Sequence, residues 1–420
     1  CGDAGGSHIG RVVCPCGKAF PEMSQSVTND KKLRVCMVVA CANDVSGSSM
    51  RDDARTSPVL HPAIHNLLHG LKDRQDIEVE VIYGRQSPES GEDRWEGSLH
   101  YVPVKYRPWP VPGMGGPYLA RTMALLRHIR KTKPDLVHGQ GTERESGLVS
   151  ALSGRPSVLT LHGNFREISR KIKASFLSYY SLAAMVEKFC IPRVSVVHCI
   201  SKHTAKTVLD TAQQTAVIPN AVHAEFFGAK RQPTKFPTVV CVAGITEWKN
   251  QLLLIQASDI LQRYFPECRV IFVGECKKEA DYGKKFLEEI EKRDWCQWRP
   301  PCDRDELIKI LGAATCVVLP SIEENFGLAL AEAMAIGIPT LGADAGGIPD
   351  VLDDGKAGIL FAPTSAEDLG QKLVSLHTDA QLAQDLSAAG HSIAAQRFSI
   401  EKIAADHVAL YRDFRSQSSQ

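Results

Sequence analysis

TCVVLPSIEENFGLALAEAMAIGIPTLGADAGGIPDVL runs from Thr315 to Leu352. TCVVLP (Thr315 to Pro320) is a short β-rich apolar run and reads as a buried strand. From about Gly327 to Ala335 small and apolar residues recur around a single acid, Glu332, which predicts a buried helix. IPTLGA (Ile338 to Ala343) is a second strand, and DAGGIPD (Asp344 to Asp350) is a loop with adjacent Gly346 and Gly347. Two such strands joined by a helix make one βαβ unit of a parallel sheet covered on both faces.

The same alternation extends in both directions. TVVCVAG (Thr238 to Gly244), CRVIFVG (Cys268 to Gly274) and GILFA (Gly358 to Ala362) are further strands of this half. An earlier series starts at RVCMVVA (Arg34 to Ala40). It continues with Ile64, Leu67, Leu68 and Leu71 at helical spacing, then IEVEVIY (Ile77 to Tyr83), HYVPV (His100 to Val104), a helix over Tyr118 to Thr132, DLVHG (Asp135 to Gly139), SVLTLHG (Ser157 to Gly163) and SVVHCIS (Ser195 to Ser201). A polar, Pro-containing stretch, Gly228 to Pro237, separates the series and reads as a linker. The expected fold class is therefore α/β with two doubly wound domains. Ligands in such sheets bind beyond the carboxyl ends of the strands, so the expected site is an interdomain cleft.

Composition agrees with a globular chain of two or three domains: 420 residues, 44% hydrophobic and 23% charged. Lys+Arg of 49 against Asp+Glu of 48 gives a net charge of +1 and no global case for nucleic acid binding. No apolar run approaches the length of a membrane-spanning helix. Most of the 13 cysteines stand singly in apolar runs and read as small buried hydrophobes in a reducing, cytoplasmic setting. Only Cys14 and Cys16 are closely paired, without the second pair that a zinc site calls for, so no metal is expected. Residues 1–30 carry little periodicity and no long apolar segment. They read as a poorly ordered extension rather than a signal peptide.

The chemistry centres on the segment quoted first. Glu324, Asn325, Phe326 and Gly327 form the loop at the ligand-facing end of the strand. The helix start behind them offers unpaired N–H groups and a positive dipole end, which suits an anion. Gly327 leaves room for a phosphate to approach the backbone. Glu324 and Glu332 would stand about 12 Å apart along continuous helix, and carboxylates accept hydrogen bonds from sugar hydroxyls. Chemistry alone leaves two readings open, an anion or sugar site and a pair of solvated carboxylates. The apolar flanks of Glu332 weigh against simple solvation.

The ordered set Glu324, Phe326, Gly327, Glu332, Ala333, Met334, Gly337, Pro339, Gly346, Gly347 and Pro349 resembles the pattern of family 4 retaining nucleotide-sugar glycosyltransferases of the GT-B fold. The resemblance extends from about Arg34 to Tyr411, with PNAV (Pro219 to Val222) and FSIEKIAADHVALY (Phe398 to Tyr411) matching family segments. It implies two Rossmann-like domains facing a cleft: 31–227 for the acceptor, a linker at 228–237, 238–395 for the donor, and a C-terminal helix in 396–420 returning towards the first domain. It implies a hexosyltransferase-type enzyme that moves a sugar from a UDP-, GDP- or ADP-linked donor to an acceptor hydroxyl with retention, in glycan or glycolipid synthesis. No cofactor or bound metal is implied.

By this resemblance Glu324, Lys249 and His162 are catalytic. Glu332 holds the ribose, and Asn325, Phe326, Gly327, Leu328, Gly244, Gly346 and Gly347 line the donor site. Gly47 serves the acceptor-side loop, and His138 is a weaker sugar-contact candidate. The family's diphosphate loop carries an Arg after the glycine. Here Ile245 follows Gly244, so an Arg placed at 245 is expected to share the load of Lys249. That departure keeps a catalytically weak sugar-nucleotide-binding protein as the alternative, alongside another GT-B enzyme such as an epimerase or phosphorylase. The basic and aromatic stretch FREISRKIKASFLSYY (Phe165 to Tyr180) reads either as a peripheral membrane contact on the cytoplasmic face or as a solvated helix with a buried stripe. No G-x-G-x-x-G follows the first strand, which argues against a dinucleotide oxidoreductase.

Overall fold

The computed structural model describes residues 32–40, 60–85, 93–107, 115–142, 144–171, 175 and 178–417 of the chain. Residues 1–30, Gly47, Cys14, Cys16, Cys41 and, within the basic stretch, Ile172, Lys173, Phe176 and Leu177 lie outside the described residues.

The described chain forms two compact units, one ending at Pro219 and rejoined from Ile403 onward, the other running from Asn220 to Lys402. In the first, strands β1 (Leu33–Val38), β2 (Ile77–Arg85), β3 (Arg94–Glu96), β4 (Leu99–Lys105), β5 (Leu136–Gln140), β6 (Ser157–Leu161), β7 (Val196–Cys199) and β8 (Thr215–Val217) lie in the order β3-β4-β2-β1-β5-β6-β7-β8. All pairs are parallel except β3 with β4. In the second, β9 (Thr238–Val242), β10 (Arg269–Val273), β11 (Cys296–Arg299), β12 (Cys316–Leu319), β13 (Thr340–Ala343) and β14 (Ile359–Phe361) form a fully parallel sheet, β11-β10-β9-β12-β13-β14. That order is doubly wound, and the winding reverses between β9 and β12, where such sheets open a crevice at their carboxyl edge. In the first sheet the reversal falls between β1 and β5.

Burial explains why these segments became strands. β1, β5, β6 and β7 are buried along almost their whole length, as two-sided parallel strands require. The helix Pro62–Leu71 begins with proline in its first turn, where no N–H partner is needed, and sinks Ile64, Leu67, Leu68 and Leu71. Seven cysteines, among them Cys36, Cys199, Cys241, Cys268 and Cys316, are buried and unbridged, acting as small apolar side chains. The stretch from Gly228 to Pro237 packs on the second unit: Gln232 and Thr234 donate backbone N–H groups to Gly312 and Ala313, and Arg231 donates to the Gly337 carbonyl at 2.8 Å.

The C-terminal helix Ile400–Gln417 is held in the first unit by a buried polar chain. His198 Nε2 lies 2.8 Å from the Ile218 carbonyl, which can only accept, so the ring proton sits there. Its bare Nδ1 then accepts from Thr160 at 2.8 Å, Thr160 accepts from His138 Nε2 at 2.6 Å, and His138 Nδ1 accepts from the Tyr411 hydroxyl at 2.6 Å. Four elements distant in sequence are joined with every proton allotted, and each ring is neutral. Burial pushes His198 and His407 down to about 3 and about 4, and drives His138 lower than an ordinary histidine as well. His138, a weaker sugar-contact candidate in the sequence, is thus fully enclosed as a link in this chain.

Candidate active site

The site of the second unit is built from the two loops that flank the reversal point. After β9 the chain makes a 3-10 turn, Glu247–Lys249, and then Asn250 adopts a left-handed conformation (φ 52°) before the helix Gln251–Tyr264. Asparagine tolerates that conformation, so a helical turn can end on Lys249 and a new helix start at once. After β12 the chain passes through Ser321 to Asn325. The Ile322 N–H donates to the Trp248 carbonyl at 3.0 Å, which ties the two loops together. Lys249 Nζ donates to Glu324 Oε2 across this junction. Glu324 Oε1 also accepts the N–H of Asn325 at 3.1 Å.

Gly327 caps the helix Leu328–Ile336 at φ 95°, a conformation that favours glycine. The helix start therefore stands directly behind the Lys249–Glu324 pair, with Leu328 and Ala329 supplying its first N–H groups. The Phe326 ring turns away from this loop and into the core, 5.5 Å from the ring of Phe398. What Phe326 can offer a ligand is therefore its backbone. Gly346 and Gly347, read from sequence as leaving space for a ligand, serve another purpose first. A Cβ on Gly346 (φ 59°) would stand 2.1 Å from the Glu324 carbonyl oxygen. The Gly347 N–H donates to that same carbonyl at 2.7 Å. The glycine loop is thus the bed on which the Glu324 loop lies.

Gly244 is exposed, and a Cβ there would meet nothing nearer than 3.9 Å, so packing does not demand glycine at that position. Ile245 is 4% exposed and its N–H donates to the Glu275 carbonyl at 2.7 Å. This overturns the expectation that an Arg at 245 would share the work of Lys249: the side chain there belongs to the core. Glu332 lies one turn into its helix, and burial pushes its carboxyl up to about 8, with the nearby Arg304 pulling the other way. Arg304 opens the helix Arg304–Gly312 and also contacts Glu225 and His223 at 3.1 Å. Nothing in the DRDE run singled it out; a cation at a helix start facing a half-buried carboxylate is visible only in three dimensions.

In the first unit, His162 follows β6. Its Nε2 is 2.9 Å from Gln140 Oε1, and the His61 ring is 5.7 Å away. Burial, helped by His61 and His198, pushes the imidazole down to about 3. His162 is thus a neutral hydrogen-bonding group at physiological pH. The following helix Phe165–Lys171 is anchored by the buried Glu187, whose carboxylate accepts the N–H groups of Phe165 and Arg166 at 3.0 and 3.3 Å. Among the described residues no group of three or more His, Cys, Asp or Glu could hold a metal ion. None of the described helices is long and apolar enough to cross a membrane.

Two family models match: Glycosyltransferase Family 4 over residues 63–226 and Glycosyl transferases group 1 over residues 223–392. A D-inositol 3-phosphate glycosyltransferase from Thermobifida fusca is 35% identical over 323 residues, 75% of this chain and 68% of that protein. The chain belongs to glycosyltransferase family 4. A similarly named protein from Streptomyces bingchenggensis is 39% identical over a shorter stretch, 31% of this chain and 28% of the relative's length. Among solved structures, the sucrose-phosphate synthase of Thermosynechococcus elongatus superposes with a TM-score of 0.74 at 18% identity, over 92% of this chain and all of that one. Anabaena HepE in complex with UDP and glucose superposes at 0.65 and 18%, over 91% and 100%. These likenesses establish the GT-B fold for this family member.

Proposed function

We propose that this protein transfers a sugar from a nucleoside-diphosphate donor to an acceptor hydroxyl, with retention at the anomeric carbon. The observation that carries this reading is the Lys249–Glu324 pair in front of the Gly327 helix start, at the reversal point of the second sheet. A departing diphosphate gathers negative charge as the glycosidic bond breaks. Lys249 and the first N–H groups of the helix stabilise that charge without having to reorganise. Glu324, freed from Lys249 as the diphosphate takes its place, orients the sugar through its hydroxyls. Glu332 receives the ribose hydroxyls. His162, neutral, exchanges hydrogen bonds with the transferred sugar.

In this reading residues 238–395 hold the donor and 31–227 the acceptor. UDP is the favoured nucleotide, because HepE was solved with UDP and with UDP-glucose. A cytoplasmic role in glycan or glycolipid synthesis fits an acceptor presented at a membrane surface. Tyr179, Leu182, Met185 and Phe189 are exposed on the helix Tyr179–Cys190, with exposed Lys188 and Arg193 beside them. An apolar face rimmed by cations suits peripheral contact with anionic lipid.

One observation favours a second reading. With Ile245 in the core, the β9 loop supplies one cation to the diphosphate where the family supplies two, which suits a protein that binds sugar nucleotides and turns them over slowly. The test is incubation with UDP-, GDP- and ADP-sugars and an acceptor panel, with the product anomer read by proton NMR. Transfer with retained configuration supports the first reading. Tight donor binding without product supports the second.

A further inference from the structure

β2 reads IEVEVIYGR and ends on Arg85, at the carboxyl edge where ligands approach such a sheet. Arg85 is 7% exposed, and among the described residues its Nε and Nη2 have no hydrogen-bond partner and its guanidinium no ion pair. The Tyr83 ring lies 5.4 Å from its Cζ. A second arginine nearby shows the ordinary solution. Arg121 crosses the opposite face over Gly84, where a Cβ would strike its Cδ at 2.3 Å, and has Glu145 at 3.2 Å. Among the described residues no such carboxylate pairs with Arg85. A ring face offsets only a small part of what it takes to strip water from a guanidinium, so a buried and unpaired one calls for an anion.

The register shows where that anion would lie. Arg85 pairs with Lys105 on β4, so both side chains leave the same face of the sheet, and Lys105 is exposed. Val81 pairs with Met37 and Met37 with His138, which puts Arg85 on the face that also carries Gln140, the partner of His162. From β2 to β6 is three strand spacings, about 14 Å.

We infer that Arg85 is an anion-recognition residue that receives a phosphate or carboxylate carried by the acceptor. Its planar fork of donors suits a two-oxygen grip, and Lys105 adds a second, solvent-facing charge. The word acceptor rests on the transferase reading above; the anion site itself does not.

The test reads binding rather than turnover. The melting temperatures of the wild type, Arg85→Met, Arg85→Lys and Lys249→Ala are compared in sodium phosphate and in sodium chloride at matched ionic strength. Phosphate should raise the melting temperature of the wild type and of Lys249→Ala, and the shift should be much smaller in Arg85→Met than in either. In chloride, Arg85→Met should melt at or above the wild type, because a buried unpaired charge is gone. Arg85→Lys, which keeps the charge and loses the fork, should bind phosphate about tenfold more weakly. It also carries the test if Arg85→Met does not fold. Retention of the phosphate shift in Arg85→Met, its absence from the wild type, or its loss in Lys249→Ala alone would each overturn the assignment. So would a marked drop in the melting temperature of Arg85→Met in chloride, which would make Arg85 structural. Glycerol phosphate separates the sources: binding at least as tight as that of inorganic phosphate supports an acceptor-borne group, and its exclusion contradicts one. If Lys249→Ala binds a nucleoside diphosphate as the wild type does, the donor-site reading fails instead, whatever Arg85 does.

Discussion

Lys249 and Glu324 come from loops 75 residues apart in sequence, and their side chains meet as an ion pair where the second sheet reverses its winding. Each restrains the other: Lys249 holds one oxygen of the carboxylate, and the other oxygen accepts the Asn325 N–H. Because the two act together, their removals should not add. Lys249→Ala should lower turnover by about 100- to 1000-fold, about 3–4 kcal/mol, the usual effect of losing one preorganised donor. Glu324→Ala should lower it by a similar order. The double variant should fall little further, and steady-state kinetics on the three proteins measure that coupling. Strict additivity would mean that the pair is a surface accident.

Ile245→Arg should harm the protein rather than help it. The position is enclosed and its backbone is tied to Glu275, so an arginine there buries an unpaired charge. A loss of about 3 kcal/mol or more in unfolding free energy is expected from urea titration. A variant as stable as the wild type and faster in turnover would show that the loop can open to present residue 245.

Gly346→Ala tests the bed beneath Glu324. The left-handed backbone and the 2.1 Å approach to the Glu324 carbonyl leave no place for a methyl group. Strain of about 1–3 kcal/mol should either destabilise the unit or displace the Glu324 loop. Either way donor affinity falls, which calorimetry reads directly. Unchanged affinity and stability would mean that the two loops are not held in contact.

The fold was legible because both halves repeat the same alternation of apolar runs and helical stretches. Missed were β3, β8 and β11, the edge strands Arg94–Glu96, Thr215–Val217 and Cys296–Arg299, each too short to give a readable apolar run. The Glu324 loop was legible from its place after a strand that stops at Pro320. Its partners were not. The role of Gly346 depends on which backbone comes close, and the identity of that backbone is a fact of packing. Tyr411 meets His138 across 273 residues, and no local pattern in FSIEKIAADHVALY marks that hydroxyl as the donor. Arg85 was the easier omission to avoid, since a cation on the last residue of an alternating strand lies at the ligand edge by topology alone.

The buried histidines give the first unit an acid limit. Folded, His162 and His198 stay neutral down to about 3 and His407 to about 4; unfolded, each takes a proton near its ordinary 6.5. Between those values the unfolded chain binds more protons, so stability is present above 6.5 and drains away as pH falls. Each residue contributes a slope of up to about 1.4 kcal/mol per pH unit. Urea midpoints from pH 7.5 to 5 should therefore drop steeply, and less so in His198→Gln. A flat profile would contradict the assignment of neutral, buried rings.

Glu332 should make donor binding rise with pH as well, over a more alkaline range. With its carboxyl pushed up to about 8, the free protein must release a proton before the carboxylate can receive ribose hydroxyls. Affinity should rise as pH passes from 6 to 9, by at most about tenfold per unit. Glu332→Gln should bind more weakly at high pH and show no such slope. A wild-type affinity independent of pH would remove Glu332 from the ribose.

The central claim is that a diphosphate binds where Lys249, Glu324 and the helix start at Gly327 converge. Calorimetric titration of the full chain with UDP, GDP and ADP, each beside its own nucleoside, tests it most directly. At least one diphosphate should bind ten or more times tighter than its nucleoside, and Lys249→Ala should abolish that advantage while leaving the nucleoside's own affinity in place. Equal affinities for nucleoside and diphosphate, or an undiminished preference in Lys249→Ala, would contradict it.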